Sequence, residues 1–133
     1  MGFEESIRMI AQAFGWKIDR IEETISPVIA GTPVESQYMK VKNGHVKGMQ
    51  QVGRGFVNGK ELITLEMVMA LGQENPRDAV EIEGLPNLHL IFKGGIHRGI
   101  ATAAAVVNSI AGILKLSPGL KTMLDMGLVY FSR

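Results

Sequence analysis

Between Val34 and Leu71 the apolar residues recur with a period of two, and two Asn-Gly pairs, Asn43-Gly44 and Asn58-Gly59, cut the stretch into three runs. Asn-Gly accepts two positive φ values at low cost, so it is the strongest short signal for a tight hairpin turn. In the third run Ile63, Leu65, Met67, Met69 and Leu71 alternate with Leu62, Thr64, Glu66, Val68 and Ala70. A helix over 61–71 is the competing reading, since the run is long and rich in Leu and Met. The flanking turns favour strand, which predicts a three-run antiparallel meander with Met67 and Met69 in its core.

A sheet with one apolar face needs cover, and the N-terminal segment offers it. Phe3, Ile7, Ile10 and Phe14 share one helical face, Glu4 and Glu5 suit the positive end of the helix dipole, and Gly15 ends the helix. A second helix is expected from Asp19, with Glu22 in a capping-box position and Ile18, Ile21 and Ile25 on its apolar side; Pro27 stops it.

Downstream, Asn75-Pro76 marks a turn, and Val80-Ile82 and Leu88-Leu90-Phe92 alternate as two further strands. After Gly94-Gly95, residues 99–115 read as a helix of small apolar side chains, short of the ~20 residues that span a bilayer. Pro118-Gly119 breaks it. The expected fold is therefore α+β: an antiparallel or mixed sheet, helices packed on one face, and a long apolar C-terminal helix buried on most sides.

Composition narrows the function. At 133 residues the chain fits a single α+β domain, 1–133. It has no cysteine, which excludes disulfides, thiolate metal sites and a cysteine nucleophile. A net charge of +1, and eight aromatics not interleaved with the basic residues of 40–60, argue against nucleic acid. The facing acidic run, residues 61–83, reads as a solvated partner of that basic one. No export signal is visible, so a cytoplasmic location without membrane attachment is expected.

Candidate chemistry is sparse. Gly53-Arg54-Gly55 with Gly59 approximates a nucleotide-binding glycine loop, but such a loop must follow a parallel strand and open a helix. Here the neighbours read as hairpin partners, and the glycines as a bulge or crowded backbone. His45, His89 and His97 are too scattered for a metal site. His97, between Gly94-Gly95 and a helix, reads either as a helix cap or as the edge of an anion or cofactor site. No catalytic residue is assigned.

The run Gly94-Gly95-Ile96-His97-Arg98-Gly99-Ile100-Ala101-Thr102-Ala103-Ala104-Ala105-Val106-Val107-Asn108 resembles the C-terminal signature of dehydrogenases related to dihydrodipicolinate reductase, and most of all the 2,4-diaminopentanoate dehydrogenase branch. Glu22-Glu23-Thr24-Ile25-Ser26-Pro27-Val28, Asn75-Pro76-Arg77-Asp78, Glu81-Ile82-Glu83-Gly84-Leu85-Pro86 and Pro118-Gly119-Leu120-Lys121-Thr122-Met123 extend the likeness in collinear order. Two departures accompany it. Arg98-Gly99 stands where the family carries Gly-Asp, and the histidine-pair motif of the dihydrodipicolinate reductases themselves is missing, which disfavours that substrate.

The resemblance implies the substrate-binding and oligomerisation half of an NAD(P)-dependent amino-acid dehydrogenase of the diaminopentanoate type. The family's N-terminal Rossmann domain is expected to be absent here, as a missing or separate partner, and the isolated chain to be inactive and to bind no cofactor alone. In the intact enzyme, NAD or NADP would lie beside Gly95, Ile96 and His97, with Thr102 setting the helix against the nucleotide domain. Glu66 and Asp78 are the candidate carboxylates for the substrate's ammonium groups. A homo-oligomer is expected. The alternative is a stand-alone, non-enzymatic α+β dimer that binds a small ligand or partner chain.

Overall fold

The computed structural model describes residues 2–127, which fall into two compact units, Met1–Gln73 and Glu74–Arg133. In the first unit, α1 (Glu4–Ala13) forms as its apolar spacing predicts, with Ile7 and Ala11 buried, and Gly15 follows it at φ 69°. Arg8 pairs with Glu4 one turn away at 2.7 Å. Ile7, Ala11 and Ile63 are the buried core of the unit, with Phe3, Ile10, Ile18, Ile21 and Leu65 packed around them.

The segment expected as a second helix is a strand. β1 (Arg20–Ile29) pairs antiparallel along its length with β4 (Val46–Val57), after the short hairpin of β2 (Val34–Glu35) and β3 (Lys40–Val41). The β-branched Ile21, Thr24, Ile25, Val28 and Ile29 suit a strand, and Pro27 is tolerated because β1 is an edge of the sheet. Asp19 therefore caps no helix. Its Oδ2 accepts the Gly59 backbone N–H at 3.0 Å, and its own N–H donates to the Phe56 carbonyl at 2.9 Å.

β4 and β5 (Lys60–Ala70) form the expected hairpin around Asn58 (φ 50°) and Gly59 (φ 73°), both in the positive-φ region that a type I′ turn requires. The sheet order is β1-β4-β5. The predicted meander is corrected in one respect: Asn43-Gly44 joins no hairpin pair, because β3 pairs with β2 and β4 with β1 and β5. Instead, Gly44 (φ 77°) donates its N–H to the Ala30 carbonyl at the end of β1. Ile63 is buried and Met67 half-buried, whereas Met69 is 41% exposed and so does not belong to the core.

Helix α1 reaches the sheet over Gly53 and Gly55. A Cβ on Gly53 would stand 2.8 Å from Phe3 Cβ, and one on Gly55 would stand 2.6 Å from Ile7 Cγ2. These glycines are a seat for a helix, as the crowded-backbone reading expects. Glu23 fastens the same contact: its Oε2 accepts the Phe3 N–H at 3.2 Å, and its Oε1 accepts Gln51 Nε2, a buried side-chain amide.

In the second unit, β6 (Arg77–Ile82) and β7 (Leu88–Lys93) form an antiparallel hairpin, followed by α2 (Arg98–Ile113) and α3 (Met123–Met126). The register gathers Asp78, Val80, Ile82, Leu88, Leu90 and Phe92 on one face and Arg77, Ala79, Glu81, His89, Ile91 and Lys93 on the other. Glu81 and His89, cross-strand partners, approach to 3.2 Å.

The expected architecture is corrected here. The class is α+β with antiparallel sheets, but among the described residues the last helix is the four-residue α3, not a long apolar helix. Helix α2 has no buried residue; Ile100 is 70% and Val107 63% exposed. Only α1 packs on the three-stranded sheet within its unit. Helix α2 ends at Ile113, ahead of Pro118 and Gly119 (φ 133°), so the apolar run forms a helix over nearly the expected range but buries no side chain and is followed by α3. The four-residue α3 is then set by its own capping box, Thr122 with Asp125. No described helix is long and apolar enough to cross a membrane.

Candidate functional site

The turn from β7 into α2 is held by four backbone donors. Gly94 (φ 85°) and Gly95 (φ 73°) occupy consecutive positive-φ positions that only glycine adopts readily. Gly94 N–H donates to the Pro76 carbonyl at 2.8 Å and Gly95 N–H to the Phe92 carbonyl at 3.2 Å. Ile96 N–H donates to Asp78 Oδ2 at 2.6 Å, a short charge-assisted bond from β6. His97 is the N-cap of α2, and its Nδ1 accepts the Ile100 N–H at 3.4 Å. The capping reading of His97 is thus met by the geometry.

These contacts shape an open groove of about 350 Å³ lined by Asp78, Val80, Phe92, Ile96, Arg98, Ala101 and Thr102. Its volume lies at the lower end of the roughly 300–1,000 Å³ usual for small-molecule sites. One wall is the apolar face of the β6–β7 hairpin, where Asp78 and Phe92 are cross-strand partners and Val80 lies two residues along. The other is the first turns of α2, where Arg98 and Thr102, four residues apart, share a side of the helix.

Of the residues singled out from the sequence, Asp78, Ile96 and Thr102 line this groove. Gly95 adjoins it, since a Cβ there would stand 3.5 Å from Asp78 Oδ2. His97 is the helix cap rather than a lining residue. Glu66 belongs to the other unit, on the face of β5 turned away from α1, where its Oε1 accepts Gln50 Nε2 at 2.6 Å. Val80, Phe92, Arg98 and Ala101 were not anticipated. The i, i+4 relation of Arg98 to Thr102 was readable in the sequence; Val80 and Phe92 join only through strand register. No group of three or more metal-ligating side chains occurs among the described residues.

Comparison with known proteins agrees with the likeness seen in the sequence. The 2,4-diaminopentanoate dehydrogenase of Acetoanaerobium sticklandii is 35% identical over 131 residues, covering 95% of this chain and 37% of that enzyme. The structure of an amine dehydrogenase from Mycobacterium smegmatis superposes with a TM-score of 0.78 at 21% identity, over 97% of this chain and 39% of that one, a likeness of fold. The chain thus spans less than two-fifths of the length of these two relatives. With the model of the 2,4-diaminopentanoate dehydrogenase C-terminal domain matching residues 1–130, the chain belongs to that family.

Proposed function

We propose that this chain is the substrate-binding and oligomerisation half of an NAD(P)-dependent amino-acid dehydrogenase of the diaminopentanoate type, inactive alone and located in the cytoplasm. The observation that carries this reading is the family match over residues 1–130, combined with the small share of longer dehydrogenases that the chain covers. A separate nucleotide-binding domain is the partner this implies. When bound in the intact enzyme, the nicotinamide supplies the hydride acceptor. That chemistry would be oxidation of the carbon bearing the reacting amine, ending in a carbonyl product and ammonia, and Gly95, Ile96 and His97 would lie beside the ring end of the cofactor.

The chain's own residues have distinct parts in this scheme. Gly95, lacking a side chain, lets a flat ring approach the loop, and half-exposed Ile96 offers it an apolar contact. His97 fixes the helix start beside it, and Thr102 supplies a hydroxyl in the groove. Asp78 and, by itself in the other unit, Glu66 are the carboxylates for substrate ammonium groups.

The test is a chimaera of the Acetoanaerobium sticklandii enzyme in which residues 1–130 of this chain replace the matching segment. NAD(P)-dependent oxidation of 2,4-diaminopentanoate is expected from the chimaera and none from the isolated chain. A chimaera that folds, by circular dichroism, yet does not turn over that substrate overturns the substrate assignment. Turnover by the 133 residues alone overturns the claim of a half-enzyme.

A further inference from the structure

Arg77 and Lys93 are cross-strand partners in the β6–β7 hairpin, on the face turned away from the groove. The Gly94 N–H donates to the Pro76 carbonyl at 2.8 Å, one residue outside each of them, which makes Arg77 and Lys93 a non-hydrogen-bonded pair. Side chains stand closest in such pairs, and like charges set directly opposite one another weaken a sheet. Both residues are exposed, and neither has an acid partner among the described residues. Asp78, next to Arg77 in sequence, lies on the opposite face, where its Oδ2 accepts the Ile96 N–H. Glu81, the acid of the same face, is paired with His89 at 3.2 Å. It stands about 13 Å along the strand from Arg77 at ~3.3 Å per residue, beyond the ~8 Å screening length of physiological salt. Two cations are thus held at the shortest cross-strand spacing with no acid of the described residues to neutralise them.

We propose that Arg77 and Lys93 together bind a dianionic phosphate, free or as the head group of a monoester. A guanidinium presents a planar fork to two phosphate oxygens, and an ammonium presents a point charge with rotatable donors, so one group of each kind clasps a tetrahedral dianion from two sides. A dianion suits the pair better than a monoanion does, because it cancels both charges. Next along the same face stand Ala79 and Ile91, cross-strand partners, and Ile91 is 43% exposed. They offer an apolar floor to the organic part of a monoester, which inorganic phosphate leaves unused. Phosphate binding here goes beyond the dehydrogenase reading and requires neither turnover nor a nucleotide domain.

The experiment is a titration of the isotopically labelled 133-residue chain, at about pH 7.5 and constant ionic strength, with inorganic phosphate, phenyl phosphate and dimethyl phosphate. The amide resonances of Arg77, Ile91 and Lys93 report on it. Inorganic phosphate and phenyl phosphate, dianions above a second pKa of about 6, are expected to shift these resonances saturably at millimolar concentrations. Dimethyl phosphate, a monoanion, is expected to bind about tenfold more weakly or worse. Tighter binding of phenyl phosphate than of inorganic phosphate assigns the site to a monoester; equal affinities assign it to the free ion. Arg77→Ala and Lys93→Ala are each expected to weaken phosphate binding by about fivefold or more. Lys93→Glu is expected to abolish it and to raise the melting temperature, since opposite charges then face each other across the hairpin. That rise separates a lost site from a lost fold. An unshifted spectrum with both dianions, equal affinity for dimethyl phosphate, or unchanged affinity in the Arg77→Ala and Lys93→Glu chains overturns the assignment.

Discussion

Asp78 on β6 and Ile96 before α2, eighteen residues apart in sequence, are joined by a 2.6 Å hydrogen bond from the Ile96 N–H to Oδ2. That bond fixes where the glycine pair ends and the helix starts. Asp78→Ala removes the acceptor and is expected to destabilise the second unit by about 1 kcal/mol, since the group is solvent-exposed. It should also disperse the Gly95 and Ile96 amide resonances. Asp78→Asn keeps an acceptor oxygen and is expected to preserve most of both. Urea titration and amide spectra check the pair of variants; an Asn variant as impaired as the Ala variant would mean that the charge, and not the acceptor, orders the loop.

The seat of α1 gives a steric prediction. Gly53→Ala and Gly55→Ala each force a methyl to within 3 Å of Phe3 or Ile7, an overpacking expected to cost about 1–3 kcal/mol. Gly31 has open space around a Cβ and no positive φ, so Gly31→Ala is the neutral control. Thermal denaturation of the three variants decides. Equal melting points would mean that the helix slides freely over the sheet.

Glu23 and Gln51 form a coupled pair beneath the start of the same helix. Glu23→Ala leaves the Gln51 amide, 4% exposed, without its acceptor, at an expected cost of about 1–3 kcal/mol. Adding Gln51→Leu removes the stranded amide and should restore part of that loss. A double-mutant cycle by chemical denaturation measures it, and strict additivity would deny the coupling.

Asp125 supplies a pH prediction for α3. Its carboxyl is held below the usual aspartate range, first by the Thr122 backbone N–H and then by the Thr122 hydroxyl. A depressed carboxylate pKa contributes stability that is present above the unfolded pKa, near 3.9, and is lost as pH falls through the folded one. The Leu124 and Asp125 amides should therefore keep their neutral-pH shifts down to pH ~4 and lose them below it. Asp125→Asn should remove that acid transition.

Where local signals dominate, the chain is legible. The Asn58-Gly59 pair announces the β4–β5 hairpin, and the spacing of Phe3, Ile7 and Ile10 announces α1. β1 is not legible in the same way. Ile21 and Ile25 are four apart, a spacing that serves one face of a helix and one face of a strand alike, and Asp19 with Glu22 imitates a helix start. Only pairing with β4, more than twenty residues later, decides between them. The groove divides likewise. Gly94-Gly95, Ile96 and Thr102 stand out along the chain, whereas Val80 and Phe92 reach it only because the register of β6 against β7 puts Val80 beside the Asp78–Phe92 pair.

The bond from Gly59 to Asp19 also sets an order of events during synthesis. The first strand of the sheet leaves the ribosome well before the central strand that must sit beside it, and its clasp waits for a turn forty positions later. Until that turn emerges, the isoleucines of the early strand have no sheet to join. The nascent chain therefore carries an unpaired strand through that whole interval, and the sheet closes only after the central strand and its turn have emerged.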